Sequence, residues 1–258
     1  MSEKINIAIV QTSIKWEDAQ GNLSNYEKII DSMNPDVDII FFPEMFNTGF
    51  SMNVKKIAET MDGKTVSWLQ QHALRKNVSI TATLAIEENK NFYNRLVWVF
   101  PNGKIIFYDK RHTFTLAGES KFYTKGKARK IIVYKGWKFL PQVCYDLRFP
   151  VWSRNDSDYD ALFYLANWPT PRISHWKNLL VSRAIENMSY CIGVNIVGSD
   201  PENKYNGYSC IINPNGEHCI DMTEDETVIY HQLNKSKIND SRNSLNFLDD
   251  KDDFTLKF

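Results

Sequence analysis

The chain has 258 residues, a hydrophobic share of 43%, and 31 basic against 31 acidic side chains. That length favours one large domain, and a formal charge of zero leaves no global field to draw nucleic acid or an anionic membrane. No apolar run reaches the roughly 18 residues of a membrane span, and MSEKINIAIV enters a strand pattern without a signal-peptide core, so a cytoplasmic protein acting on a small molecule is expected.

Ile5 to Thr12 (INIAIVQT) reads as a buried strand, Trp16 to Met33 carries apolar residues at mostly helical spacing, and Val37 to Pro43 (VDIIFFP) is the next strand. Lys64 to Asn77 sets Val66, Leu69, Ala73 and Leu74 on one helical face, and the β-branched VSITATLAI follows it. NRLVWVF and KIIFYDK flank Pro101, Asn102 and Gly103, the turn chemistry of a hairpin, and a second PNG turn falls at Pro214 to Gly216. After Arg129 come KIIVY, WKFLPQVCYD, a short helix-like PVWSRN, the strand ALFYLAN, a helix from His175 to about Tyr190, and CIGVNIVG as one more apolar strand. Buried runs with little polar alternation imply sheets covered on both faces, and the hairpins make those sheets mixed. Residues 1–233 read as one domain. Residues 234–258 read as a polar tail, with a dimer contact as its candidate role.

The reactive side chains stand where strand-like runs end: Glu44 in FFPEMF, Lys110 in YDKRH and Cys144 in VCYDLRFP. A thiol is a poor nucleophile until ionised; an ammonium lowers its pKa and a carboxylate can take its proton. Charge then grows on the substrate heteroatom, where Lys110 and the backbone N–H of Tyr145 can meet it. The same carboxyl group can protonate a departing amine and then activate water against a thioester. Alone, Cys144 reads as a small buried hydrophobe, Glu44 as a helix N-terminal carboxylate and Lys110 as a surface charge. Their joint occurrence favours chemistry. Asp146 and Arg148, beside the cysteine, read equally as a pair holding the turn or as substrate-binding groups, and Arg183 to Asn187 (RAIEN) as helix bracing. A Cys–His hydrolase with His112 as base is the other arrangement of the same nucleophile.

Cys144, Cys191, Cys210 and Cys219 show no CxxC spacing, and the five histidines form no HxH or HExxH, so no metal is expected. Neither a GxSxG elbow nor a phosphate-binding glycine loop is present, so no cofactor is implied.

PEMF, YDKRH and CYDLRFP resemble, in order, the Glu, Lys and Cys motifs of the nitrilase superfamily of carbon-nitrogen hydrolases. FPEMFNTGF, YDKRHTFTLAGE, CYDLRFPVWSRN, ANWP and HWKNLLVSRAIEN resemble its bacterial omega-amidase branch, and the similarity runs from about Ile5 to Leu233. Thr113 and Thr115 make the loop after Lys110 more polar than that family often has. The resemblance implies an α/β fold, an αββα sandwich with two mixed β-sheets between helical layers, and a homodimer. It implies Glu44 as base, Lys110 as stabiliser, Cys144 as nucleophile and Glu119 as a second, substrate-orienting glutamate. Tyr145, Phe114, Trp168 and Arg172 are the candidate substrate-binding residues. The substrate expected is a small 2-oxo dicarboxylic acid monoamide, whose free carboxylate calls for a cation such as Arg172 or Arg148. Another amidase, a carbamoylase, a nitrilase or a catalytically silent binding protein of this fold are the alternatives.

Overall fold

The computed structural model describes residues 2–256. Its strands are β1 (Lys4–Gln11), β2 (Ile39–Phe41), β3 (Ser79–Glu88), β4 (Asn91–Val99), β5 (Ile105–Asp109), β6 (Ile132–Tyr134), β7 (Trp137–Val143), β8 (Ala161–Leu165), β9 (Tyr190–Val194), β10 (Val197–Ser199), β11 (Lys204–Asn206), β12 (Cys210–Ile212) and β13 (Thr227–Asn234). The helices are α1 (Ala19–Ser32), α2 (Val54–Ile57), α3 (Lys64–Lys76), α4 (Pro150–Ser153), α5 (Ile173–Asn187) and α6 (Lys235–Leu245). One six-stranded sheet runs β13-β1-β2-β3-β4-β5 and one five-stranded sheet runs β12-β9-β8-β7-β6; each holds parallel and antiparallel pairs.

The period-2 alternation of strands sorts side chains into layers. Ile5, Ile7 and Ile9 of β1 meet Phe139, Val143, Phe163 and Ile192 of the other sheet in the central core. Val10, Ile40 and Ile80 face outward onto Tyr26, Val66 and Leu69 of α1 and α3. Leu140, Leu162 and Cys191 face outward onto Trp176 and Leu180 of α5. The result is the expected α/β architecture, two mixed sheets between helical layers, with both faces of each sheet covered.

The expected elements shift at their ends for local reasons. The first helix begins at Ala19 rather than Trp16, because the Asp18 side chain caps it by accepting from the Gly21 N–H at 2.9 Å. Trp16 therefore stays in a loop. On α3, Leu74 is 67% exposed and does not share the buried face of Val66, Leu69 and Ala73. The helix before β9 spans Ile173 to Asn187 and stops where Met188 turns left-handed at φ 44°. CIGVNIVG is two strands, not one. Asn195 interrupts it, accepting from the Trp168 N–H at 2.7 Å and donating to the carbonyls of Trp168 and Gly207 at 3.0 and 2.8 Å. The PNG stretch at Pro214 to Gly216 is a tight turn closed by one bridge between Ile212 and His218.

The polar segment after Leu233 opens with α6, whose Ile238 is buried and whose Arg242 donates to the carbonyls of Met188 and Tyr159 at 3.1 and 2.7 Å. No helix among the described residues is long and apolar enough to cross a membrane.

Candidate active site

Three strand ends meet at one end of the sandwich. Glu44 follows β2, Lys110 follows β5 and Cys144 follows β7. β2 and β5 are in one sheet and β7 in the other, so the site spans the gap between the sheets. Cys144 sits at φ 42°, a left-handed conformation that non-glycine residues seldom adopt, and opens a 3₁₀ turn from Cys144 to Arg148. Met45, next to Glu44, is also left-handed at φ 48°.

Asp146 ties the lysine and cysteine strand ends together. It is fully buried and accepts from the Tyr108 hydroxyl at 2.7 Å, the His112 N–H at 2.9 Å and the Val143 N–H at 3.0 Å. The expected pairing with Arg148 does not form; Arg148 turns instead to His175 Nδ1 at 3.1 Å. His112, the alternative base, is bound through Nδ1 to Asp146 at 2.8 Å and stacked on Phe149 at 3.8 Å. It lies outside the pocket lining.

The polar cluster is dense. Lys110 Nζ donates to Glu44 Oε1 at 2.9 Å and to Glu119 at 3.0 Å, with all three residues at most 1% exposed. Asn94 Nδ2 donates to Oε1 of both carboxylates, at 2.8 and 3.2 Å. The Asn167 N–H donates to Glu44 Oε2 at 2.9 Å, and its side chain donates to the Glu44 carbonyl at 2.9 Å. The Phe114 N–H donates to Glu119 Oε2. Burial disfavours the charged ammonium of Lys110, but Glu119, Glu44 and Cys144 together outweigh it and hold its pKa above the ordinary lysine value. Burial, with help from Glu44, pushes the Glu119 carboxyl up against the pull of Lys110.

The Cys144 thiol is pushed well above the ordinary value, first by burial and then by the nearby Glu44 charge; Lys110 pulls the other way and loses. The lowering by Lys110 expected from sequence is present but is outweighed by burial and the Glu44 charge.

A pocket of about 400 Å³ opens over Cys144 and Lys110. Phe114, Tyr145, Trp168 and Arg172 all line it, as do Arg148, Asn167 and the loop residue Trp16. Glu44 and Glu119 stand behind Lys110 and outside this lining. Every candidate residue therefore belongs to one constellation. Asn94 was not singled out from the sequence, and Asn167 entered only as part of the ANWP motif. Asn94 lies within β4, where a single buried amide carries no local signal of its partners.

The carbon-nitrogen hydrolase family profile matches residues 6–243, well over half of the chain. The chain belongs to the carbon-nitrogen hydrolase family. This match takes in most of α6, and the protein is a hydrolase of amide carbon–nitrogen bonds. Among relatives of this carbon-nitrogen hydrolase, the omega-amidase YafV of Escherichia coli K12 is 40% identical over 98% of each chain. The 2-oxoglutaramate amidase of Bacillus subtilis is 31% identical, covering 96% of this chain and 97% of its own. The crystal structure of XC1258 from Xanthomonas campestris, a carbon-nitrogen hydrolase superfamily protein with an arsenic adduct in its active site, superposes with a TM-score of 0.96. It is 36% identical and covers 99% of this chain and all of its own.

Proposed function

We propose that the protein hydrolyses the terminal amide of small 2-oxo dicarboxylic acid monoamides, such as 2-oxoglutaramate and 2-oxosuccinamate, to the acid and ammonia. The observation that carries this reading is that Cys144 and Lys110 line one pocket that also presents arginines, with Lys110 bound to Glu44 at 2.9 Å. The omega-amidase and 2-oxoglutaramate amidase relatives support the substrate class.

In this mechanism Glu44 takes the thiol proton as Cys144 Sγ attacks the amide carbon, so no free thiolate has to persist in a buried site. Lys110 and the Tyr145 N–H face the oxygen that becomes negative. Protonated Glu44 gives its proton to the amide nitrogen, ammonia leaves, and a thioester remains on Cys144. Glu44 then removes a proton from water, the water oxygen attacks the thioester carbon, and the acid departs as the sulfur regains its proton. Glu119 holds Lys110 from behind and orients it. Phe114, Tyr145 and Trp168 enclose the acyl chain, and Arg172 meets its free carboxylate.

Mass spectrometry of enzyme quenched during turnover of 2-oxoglutaramate tests both halves of this proposal. The expected result is a covalent acyl adduct on the peptide holding Cys144, with ammonia released in step. An adduct elsewhere would sink the assignment of the nucleophile; ammonia from other amides but none from 2-oxoglutaramate would sink the substrate.

We further infer a cytoplasmic homodimer with the segment after Leu233 bordering the contact, supported by the family resemblance and by the general preference for two-fold assemblies. A monomer mass by light scattering at micromolar concentration would overturn the dimer.

A further inference from the structure

Two guanidinium groups face the same pocket without a carboxylate partner. Arg148 and Arg172 are both half-buried, both line the pocket, and neither forms an ion pair among the described residues. Each is held instead by rings. Arg148 lies over Trp168 at 4.8 Å and over Tyr145 at 5.9 Å; Arg172 lies over Phe114 at 5.4 Å. Phe114 and Tyr145 pack together at 4.9 Å, and the Trp168 indole N–H donates to the Arg172 carbonyl at 2.8 Å, so the two cations are mounted on one aromatic frame.

The pocket's own acids do not neutralise them. Glu44 and Glu119 are taken up by Lys110 and Asn94. Asp200 accepts from the N–H groups of Glu202 and Asn203, both at 2.7 Å, and from the Tyr205 hydroxyl at 2.5 Å. Glu202 is exposed on the β10–β11 ribbon and forms no ion pair among the described residues. The single polar contact of the Arg148 guanidinium is His175 Nδ1, which leaves most of its five donors open.

One carboxylate needs one guanidinium. We propose that Arg148 is a specificity-determining residue: Arg172 takes the substrate carboxylate, and Arg148 donates to the 2-oxo oxygen beside it. This rests on the amidase reading above and adds a consequence to it. An ω-amide of an amino acid differs from the 2-oxo acid amide only at that carbon, where it carries an ammonium in place of an acceptor. An ammonium there brings a cation against the Arg148 cation and leaves its donors unsatisfied. The pocket thereby distinguishes a 2-oxo acid amide from its parent amino acid.

Steady-state kinetics on 2-oxoglutaramate, on glutaramate, which lacks the 2-oxo group, and on L-glutamine test the assignment. The wild-type enzyme is expected to favour 2-oxoglutaramate over glutaramate in kcat/KM on the order of tenfold, the worth of a charge-assisted hydrogen bond, with glutamine poorer than both. Arg148→Gln should bring that ratio close to one, mainly through KM for the 2-oxo substrate. Arg172→Gln should raise KM for both monoamides and keep the ratio. Equal efficiency of the wild-type enzyme on the two monoamides would overturn the role of Arg148 while leaving the amidase reading standing. An Arg148→Gln enzyme slowed equally on both, with the ratio intact, would do the same. Ammonia from none of the three amides would overturn the amidase reading and this assignment with it.

Discussion

The Glu44 carboxyl group accepts from Lys110, Asn94 and the Asn167 N–H, so three donors converge on one buried side chain. Removing the cation from such a cluster is costly because two buried carboxylates lose their counter-charge. Lys110→Ala is expected to lower unfolding free energy by about 3–5 kcal/mol in urea titrations. It should also cut kcat by on the order of a hundredfold or more, since the oxygen that becomes negative loses a donor. The raised thiol pKa has its own test. Cysteine is charged when deprotonated, so an upward shift keeps Cys144 neutral across pH 7, and its alkylation by iodoacetamide should be slower than that of a free thiol. The rate should still be climbing with pH beyond about 8.5, the ordinary thiol value. Fast labelling that levels off below that pH would contradict the upward shift. Cys191 and Cys210 are fully buried, with Cys210 pushed up to about 12 by burial, and both should stay unlabelled in the folded protein.

At the scale of elements, Gly193 of β9 shows how closely α5 lies on its sheet. A Cβ there would fall 2.5 Å from Leu180 Cδ1 and 2.7 Å from Trp176 Cζ2. Gly193→Ala overpacks this contact and should destabilise the fold by about 1–3 kcal/mol, read as a lower Tm. An unchanged Tm would mean that α5 can slide away at no cost. The same helix carries Arg183, which donates to the Leu147 carbonyl at 2.7 Å and so braces the turn that begins with Cys144. Strands whose both faces are buried were readable from their apolar runs, as β1, β3, β4 and β8 were. β11, β12 and β13 were not singled out. The burial of β13 is mostly intermediate, so it lacks a sharp hydrophobic signature; it becomes a strand by pairing with β1 along the whole of Lys4 to Gln11. The break at Asn195 was equally hidden, because its cause is a set of hydrogen bonds to Trp168 and Gly207 that no local pattern encodes.

For the molecule as a whole, α6 closes the sandwich. Its Ile238 joins the layer between the sheets, and Lys235 pairs with Asp160 at 3.1 Å across the far sheet. Ile238→Ala should cost about 2–5 kcal/mol in chemical denaturation if the helix is an integral part of the core; a cost near zero would make it a dispensable appendage. The helix in this polar segment was not legible because α6 buries only Ile238 and Ser241, too few positions to show as helical periodicity. By itself the sequence determined the layered α/β class, one reactive carboxylate, ammonium and thiol at strand ends, and a family resemblance strong enough to name a reaction. Those follow from local chemistry: alternation, turn residues and short motifs are properties of neighbours along the chain. Only the tertiary structure decided which groups meet, since Glu44 and its partner Lys110 are 66 positions apart. It alone unpaired Arg148 from Asp146 and set it on the same aromatic frame as Arg172. Electrostatic energy and hydrogen bonding depend on distance and burial in space, and neither can be read from separation along a chain.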